Sequence, residues 1–185
     1  MLRTNPVPPL SGSLLTALPV LKDPHFRRTI LFLTHHSAEE GALGFVLNRP
    51  RGDVFGNLSD VPEDLSGVPV FEGGPVGCDG VIVARMSWTE AGAAFAPLEE
   101  KDLPDRPENP DLTDLRAFTG YAGWSAGQLE EEIEEGSWRV IPPREDLMAA
   151  VSTIEEGVAV WRKIMREISP WQGLLAEAPD DLSLN

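Results

Sequence analysis

The sequence predicts a domain of mixed strands and helices, a member of the α+β class. Strand-length apolar runs crowd its first half, a glycine-ended loop joins two of them as a hairpin, and amphipathic helical segments fill its last third. At 185 residues the chain suits one domain over 1–185. Hydrophobic residues at 42% and charged residues at 24% permit a sizeable core and exclude wholesale disorder.

The first strand falls at Ser13–Leu18, where Pro19 stops it because proline cannot donate to a ladder. After the turn-like Lys22-Asp23-Pro24 come two apolar runs, Thr29–Thr34 and Ala42–Leu47, separated by a polar loop ending at Gly41. Each run is apolar on both faces, which places it inside a sheet covered on both sides. Asp53–Leu65 is polar with sparse apolar residues, a loop or short helix. Pro69–Phe71, the turn Gly73-Gly74-Pro75 and the strand Val81–Ala84 follow.

Pro97–Asp114 is acidic and punctuated by proline, a long exposed loop. Leu115–Tyr121 is a strand ending in the turn Gly120-Tyr121-Ala122-Gly123-Trp124. Ser125 with Gln128 then gives a capping-box pattern for a helix over Ala126–Glu135, which stacks Leu129 on Ile133 and stops at Gly136. Trp138–Ile141 is a short strand. Pro143 opens a helical turn carrying Leu147 and Met148. Val158–Ile168 is amphipathic through Trp161, Ile164, Met165 and Ile168. The tail 177–185 is acidic and loose.

Acidic residues outnumber basic ones 30 to 15, a formal charge of −15. Such a field repels phosphate backbones and anionic lipid, so direct nucleic-acid binding and membrane-surface binding are disfavoured. The local clusters Arg27-Arg28 and Arg162-Lys163-Arg166 do not sit in a helix-turn-helix pattern. The uncharged stretch Thr4–Leu21 is broken by Pro6, Pro8, Pro9 and Pro19, and it lacks the length of a membrane span and the cleavage pattern of a signal peptide. A single cysteine, Cys78, forbids an intrachain disulfide and a cysteine-built zinc site, pointing to a reduced, cytoplasmic setting.

Four constellations invite chemistry. His35-His36 lies on a strand, where neighbouring side chains face opposite ways and do not readily share a metal, and it lacks an oriented third group. Cys78 precedes Asp79, whose charge opposes a thiolate, so it reads as a small buried or turn residue. Gly73-Gly74-Pro75-Val76-Gly77 resembles a phosphate cradle only in composition, since Pro75 removes a donor and no Gly-Lys-Ser/Thr follows. Arg49, in Asn48-Arg49-Pro50, is suited to a carboxylate or phosphate, although an internal acidic partner accounts for it as well. The acidic run Glu130-Glu131-Glu132 and Glu134-Glu135 reads as a solvated face or an acidic docking surface.

These pieces resemble the YqgE/AlgH family of bacterial proteins. The resemblance rests on Gly12-Ser13-Leu14-Leu15, Asp23-Pro24-His25-Phe26, Gly41-Ala42-Leu43-Gly44 through Asn48-Arg49-Pro50, and Gly73-Gly74-Pro75-Val76. It continues through Gly120-Tyr121-Ala122-Gly123-Trp124, Gly127-Gln128-Leu129-Glu130 with Glu132-Ile133, Trp138 and the terminal Ser183-Leu184-Asn185. The pieces occur in family order and run nearly end to end. The chain departs most in Pro97–Asp114, and it has Ser125-Ala126 where the family pattern has Gly or Ser before Pro. The resemblance implies a single α+β domain with a bulged, largely antiparallel β-sheet flanked by helices. It implies no agreed activity. Some members carry the label of transcriptional regulator through a genetic connection with alginate synthesis, and the family supplies no catalytic residues to carry over.

The reading that results is a non-catalytic binding or regulatory module without cofactor or metal, acting through a small ligand or protein partner. Its candidate surface joins Asn48, Arg49, Gly73, Gly74, Gly120, Tyr121, Gly123 and Trp124, because glycine turns beside one Arg, one Tyr and one Trp can form a recognition notch. The alternatives are a transcriptional regulator and a hydrolase or metal-dependent enzyme using His35 or His36.

Overall fold

The two runs that are apolar on both faces lie within the sheet. The computed structural model describes residues 10–58, 61–90, 92–98, 111–148 and 151–179. Most of the expected 97–114 loop, and residues 180–185 of the expected tail, fall outside those residues. Nine strands are described: β1 Leu14–Ala17, β2 Ile30–Ser37, β3 Gly41–Val46, β4 Pro50–Val54, β5 Pro69–Glu72, β6 Val76–Thr89, β7 Gly92–Pro97, β8 Leu115–Trp124 and β9 Trp138–Ile141. The helices are α1 Gln128–Glu134, α2 Glu145–Met148, α3 Ile154–Ile168 and α4 Pro170–Ala176, with two 3-10 turns at Phe55–Asn57 and Glu63–Leu65.

All nine strands share one sheet, in the order β4-β5-β8-β3-β2-β1-β9, while β6 pairs with both β8 and β7. Every pairing is antiparallel except β5 with β8. The alternation of β2 explains the two faces. Ile30 and Phe32 join one core with Leu147, Met148, Trp161, Ile164 and Met165. Leu31 and Leu33 join the other with Leu129, Trp138 and, more loosely, Ile133. Helices α2 to α4 thus cover one face and α1 the other, as the α+β expectation requires. The register shifts at three places that bend the sheet, between Leu33 and His35, between Pro50 and Val54, and between Val76 and Val81.

Strand β8 organises the crossing. Ala117–Thr119 pairs with β5, and Leu115–Thr119 and then Tyr121 pair with β6, whereas Ala122–Trp124 pairs with β3. The change from β5 to β3 falls around Gly120, which has φ +69°. A β-carbon there would collide with the Gly74 carbonyl oxygen, and one on Gly74 would collide with the Tyr121 backbone. Only two bare backbones can pass so closely.

Several expectations need correction. Gly120–Trp124 is not a turn but the continuation of β8, because Ala122–Trp124 find a full partner in β3. The strand expected at Val81–Ala84 extends over Val76–Thr89 and forms an unforeseen hairpin with β7, whose small Ala93, Ala94 and Ala96 hide its periodicity. Helix α1 starts at Gln128, not Ala126. Its N-cap is Gly127 at φ +79°, and only half of the capping box forms, with Gln128 Oε1 accepting from Ser125 N at 3.0 Å.

Helix α3 begins at Ile154, four residues before the expected start. Thr153 caps it by accepting from Glu156 N, and the Glu156 carboxylate reciprocates to Ser152 N. The helix ends before Pro170 as expected, and a further helix, α4, not expected from the sequence, starts there with Ser169 as its cap. The acidic α1 run is also only partly solvated. Glu132 Oε2 accepts the indole N–H of both Trp124 (2.9 Å) and Trp138 (2.7 Å), and Glu130 reaches His36. Arg116 is buried on β8 beneath the Phe71 ring, donating to Met86 Sδ and the Met148 carbonyl. Burial lowers its pKa to about 10.

Helix α3 approaches closest at Gly157, where a β-carbon would overlap the Asn48 carbonyl oxygen. Gly157→Ala would ordinarily favour a helix by about 1 kcal/mol. Here we expect a net loss of about 2 kcal/mol from overpacking, read as a lower urea midpoint; an unchanged or raised midpoint contradicts the contact.

A second expectation concerns acid. Arg144 and then Lys163 hold the Asp146 carboxyl below its usual 3.8, and Arg166 with Arg162 holds Glu177 below its usual 4.5. Folded values below unfolded ones mean that this stabilisation is full above the ordinary carboxylate range and lost as pH falls through the folded values. Melting temperatures of wild type should therefore fall more steeply below pH 3.8 than those of Asp146→Asn; parallel profiles contradict the assignment.

Candidate functional site

Asn48 and Arg49 follow β3, where the chain leaves the core strand and meets the loop between β1 and β2. Asn48 is buried, and its side chain is spent on backbone. Oδ1 accepts from Ile30 N at 2.8 Å, while Nδ2 donates to Arg28 O at 2.9 Å and Gly157 O at 3.0 Å. Arg49 continues the grip, donating to the carbonyls of His25 (2.7 Å), Arg27 (2.9 Å) and Pro24 (3.0 Å). Two adjacent side chains thus take four carbonyls from one five-residue stretch. Burial lowers the Arg49 pKa, and Glu72, 3.5 Å from Nη1, opposes that shift without inverting it.

Arg27 and Arg28 of this loop line a cleft of about 470 Å³, and the Arg28 guanidinium donates to the Ala178 carbonyl at 3.0 Å and lies over the Trp161 ring. Arg28 has φ +60°, the sole positive φ of a non-glycine among the described residues. A left-handed arginine costs about 1 kcal/mol and persists only where its surroundings impose it. Arg49 and Arg51 line the same cleft from the β4 side, Asp53 and Glu72 lie between, and Ile154 and Val158 of α3 form an apolar edge. A second cavity of about 270 Å³ shares Arg51 and Glu72 and adds His25, Gly74 and Cys78. A third, of about 310 Å³, shares Arg27 and Arg28.

The candidate residues separate into groups. Asn48 and Arg49 line the first cleft, and Gly74 lines its neighbour. Gly73 and Gly120 lie against each other, backbone on backbone, in the crossing beneath. The half-buried Tyr121 packs beside that crossing, with its ring over Gly77 and Gly123. Trp124 does not come with them. It packs on Phe26 and Trp138 in the core beneath α1, held by Glu132.

Arg27, Arg28 and Arg51 were not singled out from sequence as cleft residues. Arg27-Arg28 reads there as a local basic cluster, and the faint signal for Arg51 is its place two residues after Arg49.

The histidines are also placed. His36 is buried; its Nδ1 accepts from Leu10 N at 3.1 Å and its Nε2 meets Glu130 Oε1 at 2.9 Å. Both nitrogens are thereby committed to structure. His35 points outward to Glu40 at 3.1 Å, which agrees with opposite faces for the pair. Among the described residues no three His, Cys, Asp or Glu side chains are gathered to hold a metal. Cys78, expected as a small buried or turn residue, is exposed on the β6 bulge.

Fold and cleft together define a class: a nine-stranded, helix-flanked sheet whose crossing glycines and arginine-clasped loop border an open groove. The sequence profile of the AlgH-like family matches residues 14–171. The UPF0301 protein SCO2948 of Streptomyces coelicolor is 38% identical over 190 residues, 95% of each chain, and a UPF0301 protein of Coxiella burnetii is 34% identical over 140 residues, 72% of this chain and 77% of that one. Among solved structures, protein DIP2367 of Corynebacterium diphtheriae shares the fold with a TM-score of 0.66 at 22% identity, covering 94% of this chain and 95% of that one. The AlgH protein of Pseudomonas aeruginosa aligns with a TM-score of 0.63 at 25% identity, covering 97% and 99%. The chain belongs to the AlgH-like (YqgE/AlgH, UPF0301) family.

Asn48→Ala removes the partner of one buried donor and two carbonyls. We expect about 3 kcal/mol of lost stability by urea denaturation; a loss below about 1 kcal/mol would show that water replaces these bonds without consequence.

Proposed function

We propose that this protein is a non-catalytic binding or regulatory module, working in the cytoplasm through a small ligand or a protein partner captured at the cleft between the 24–28 loop and Arg49–Arg51. One observation carries the reading: the Asn48–Arg49 grip fixes the 24–28 loop, with Arg28 left-handed, along one side of an open groove whose lining includes Arg27, Arg49 and Arg51. Preorganised charge around a concavity is what recognition requires. Catalysis by His36 is less well supported, because its Nδ1 already accepts a backbone proton. No helix of the described residues is long and apolar enough to cross a membrane. The charge of −15 favours regulation through a ligand or protein over direct DNA readout.

Native mass spectrometry of gently purified full-length protein, beside a pull-down with the same chain, tests this. Wild type should retain a bound molecule or partner that Arg51→Ala, with an unchanged melting temperature, holds at least about fivefold more weakly. Equal retention by the folded variant, or no capture by either, contradicts the reading.

A further inference from the structure

We propose that His36 is a pH-sensitive latch for the turn that precedes β1: the neutral ring holds the turn down, and the protonated ring releases it. The inference stands apart from the groove and rests on other residues.

The turn spans Leu10–Ser13 and is closed by the Ser13 N–H, which donates to the Leu10 carbonyl at 3.0 Å. Its far end is tied into the sheet, since Gly12 N donates to Leu33 O at 2.7 Å and Leu33 N donates to Ser13 O at 3.0 Å. The near end is held by a side chain. Leu10 N donates to His36 Nδ1 at 3.1 Å, while the Leu10 side chain packs on the core cluster that contains Leu31, Leu33, Trp124 and Leu129.

That acceptor exists in one protonation state only. A neutral imidazole carries one N–H and one bare nitrogen, whereas an imidazolium carries two N–H groups and no acceptor. With Nδ1 accepting from Leu10, the proton of the neutral ring sits on Nε2, where it donates to Glu130 Oε1 at 2.9 Å. A second proton has only Nδ1 to occupy. It sets two donors head to head, and the side chain is only 2% exposed, so solvent offers the new N–H no ready partner. The bond to Leu10 then breaks.

Glu130 makes the second state reachable. Among the described residues it is the charged group bonded to the ring, and protonation turns its neutral hydrogen bond into an ion pair. Strands β3 and β8 contribute the uncharged Ala42 and Trp124 to the row beside His36. Glu132, also on α1, is taken up by Trp124, Trp138 and Gln128, and His35 is turned to Glu40 on the other face. Release uncovers the apolar surface beneath Leu10 and leaves the sheet intact.

Amide exchange of the full-length protein, corrected for the intrinsic effect of pH and read at about pH 7.5 and about pH 5, tests the latch. In wild type the protection of Leu10 and Ser13 should fall at least about tenfold at the lower pH, while Leu33 keeps its own. His36→Asn places a carbonyl oxygen that does not titrate where Nδ1 lies, so it should hold Leu10 at both pH values. Glu130→Gln keeps an acceptor for Nε2 without the charge, so the loss should move to lower pH by about half a unit or more.

Unchanged protection of Leu10 in wild type at about pH 5 would overturn the proposal. So would a fall of Leu33 together with Leu10, which assigns the change to the whole sheet, or an equal fall of Leu10 in a folded His36→Asn. A Glu130→Gln midpoint that does not move also overturns it, and that result is decisive even where the asparagine variant does not fold.

Discussion

Six backbone groups converge on the side chains of Asn48 and Arg49. The pair holds the Ile30 N–H and the carbonyls of Pro24, His25, Arg27, Arg28 and Gly157. It therefore joins the first residue of β2, the loop before it and the first turn of α3, elements that are otherwise remote in sequence. The Asn48 bonds to the Ile30 N–H and the Gly157 carbonyl are buried, and leaving either group unpaired would cost more than the roughly 1 kcal/mol that the bond itself contributes. The Arg49 bonds to the loop carbonyls are exposed and act by setting the loop's geometry. Once the loop's carbonyls are drawn inward, its arginine side chains line the cleft outside.

The crossing at Gly74 and Gly120 supplies the other half of the cleft's frame. Strand β8 serves β5 and β6 along its first half and β3 along its second, so the sheet changes direction where the two glycine backbones touch. Glu72, which ends β5 just before Gly73, lines the groove, and Cys78, on the β6 bulge, lines the adjoining cavity. Rigid backbone contacts thus hold the floor, and side-chain clasps hold the rim.

Much of the fold was legible because it follows periodicity and punctuation. The β2–β3 hairpin, β9, the Gly136 stop and the apolar face of α3 all register locally. What escaped was non-local. Gly120-Tyr121-Ala122-Gly123-Trp124 has a turn's composition, and only its pairing with β3 makes it strand. The alanines of β7 carry no alternation until β6 lies beside them.

At the site, Arg49 was visible as a permanent charge after a strand, while the role of Asn48 was not, since a buried amide bonded to three backbone groups leaves no sequence signal. Trp124 was grouped with the notch through composition, yet Glu132 one helix away turns its indole into the core. Arg51 and Arg27-Arg28 gain meaning only when the loop folds back against β4.

Hydrogen exchange resolved by residue, comparing wild type with Arg49→Ala, tests the clasp most directly. The amides of Phe26, Arg27 and Thr29, bonded within the loop, should exchange at least about tenfold faster in the variant, while those of Leu31 and Leu33 in β2 keep their protection. Unchanged protection at Phe26, Arg27 and Thr29 would contradict the claim that Arg49 holds the loop.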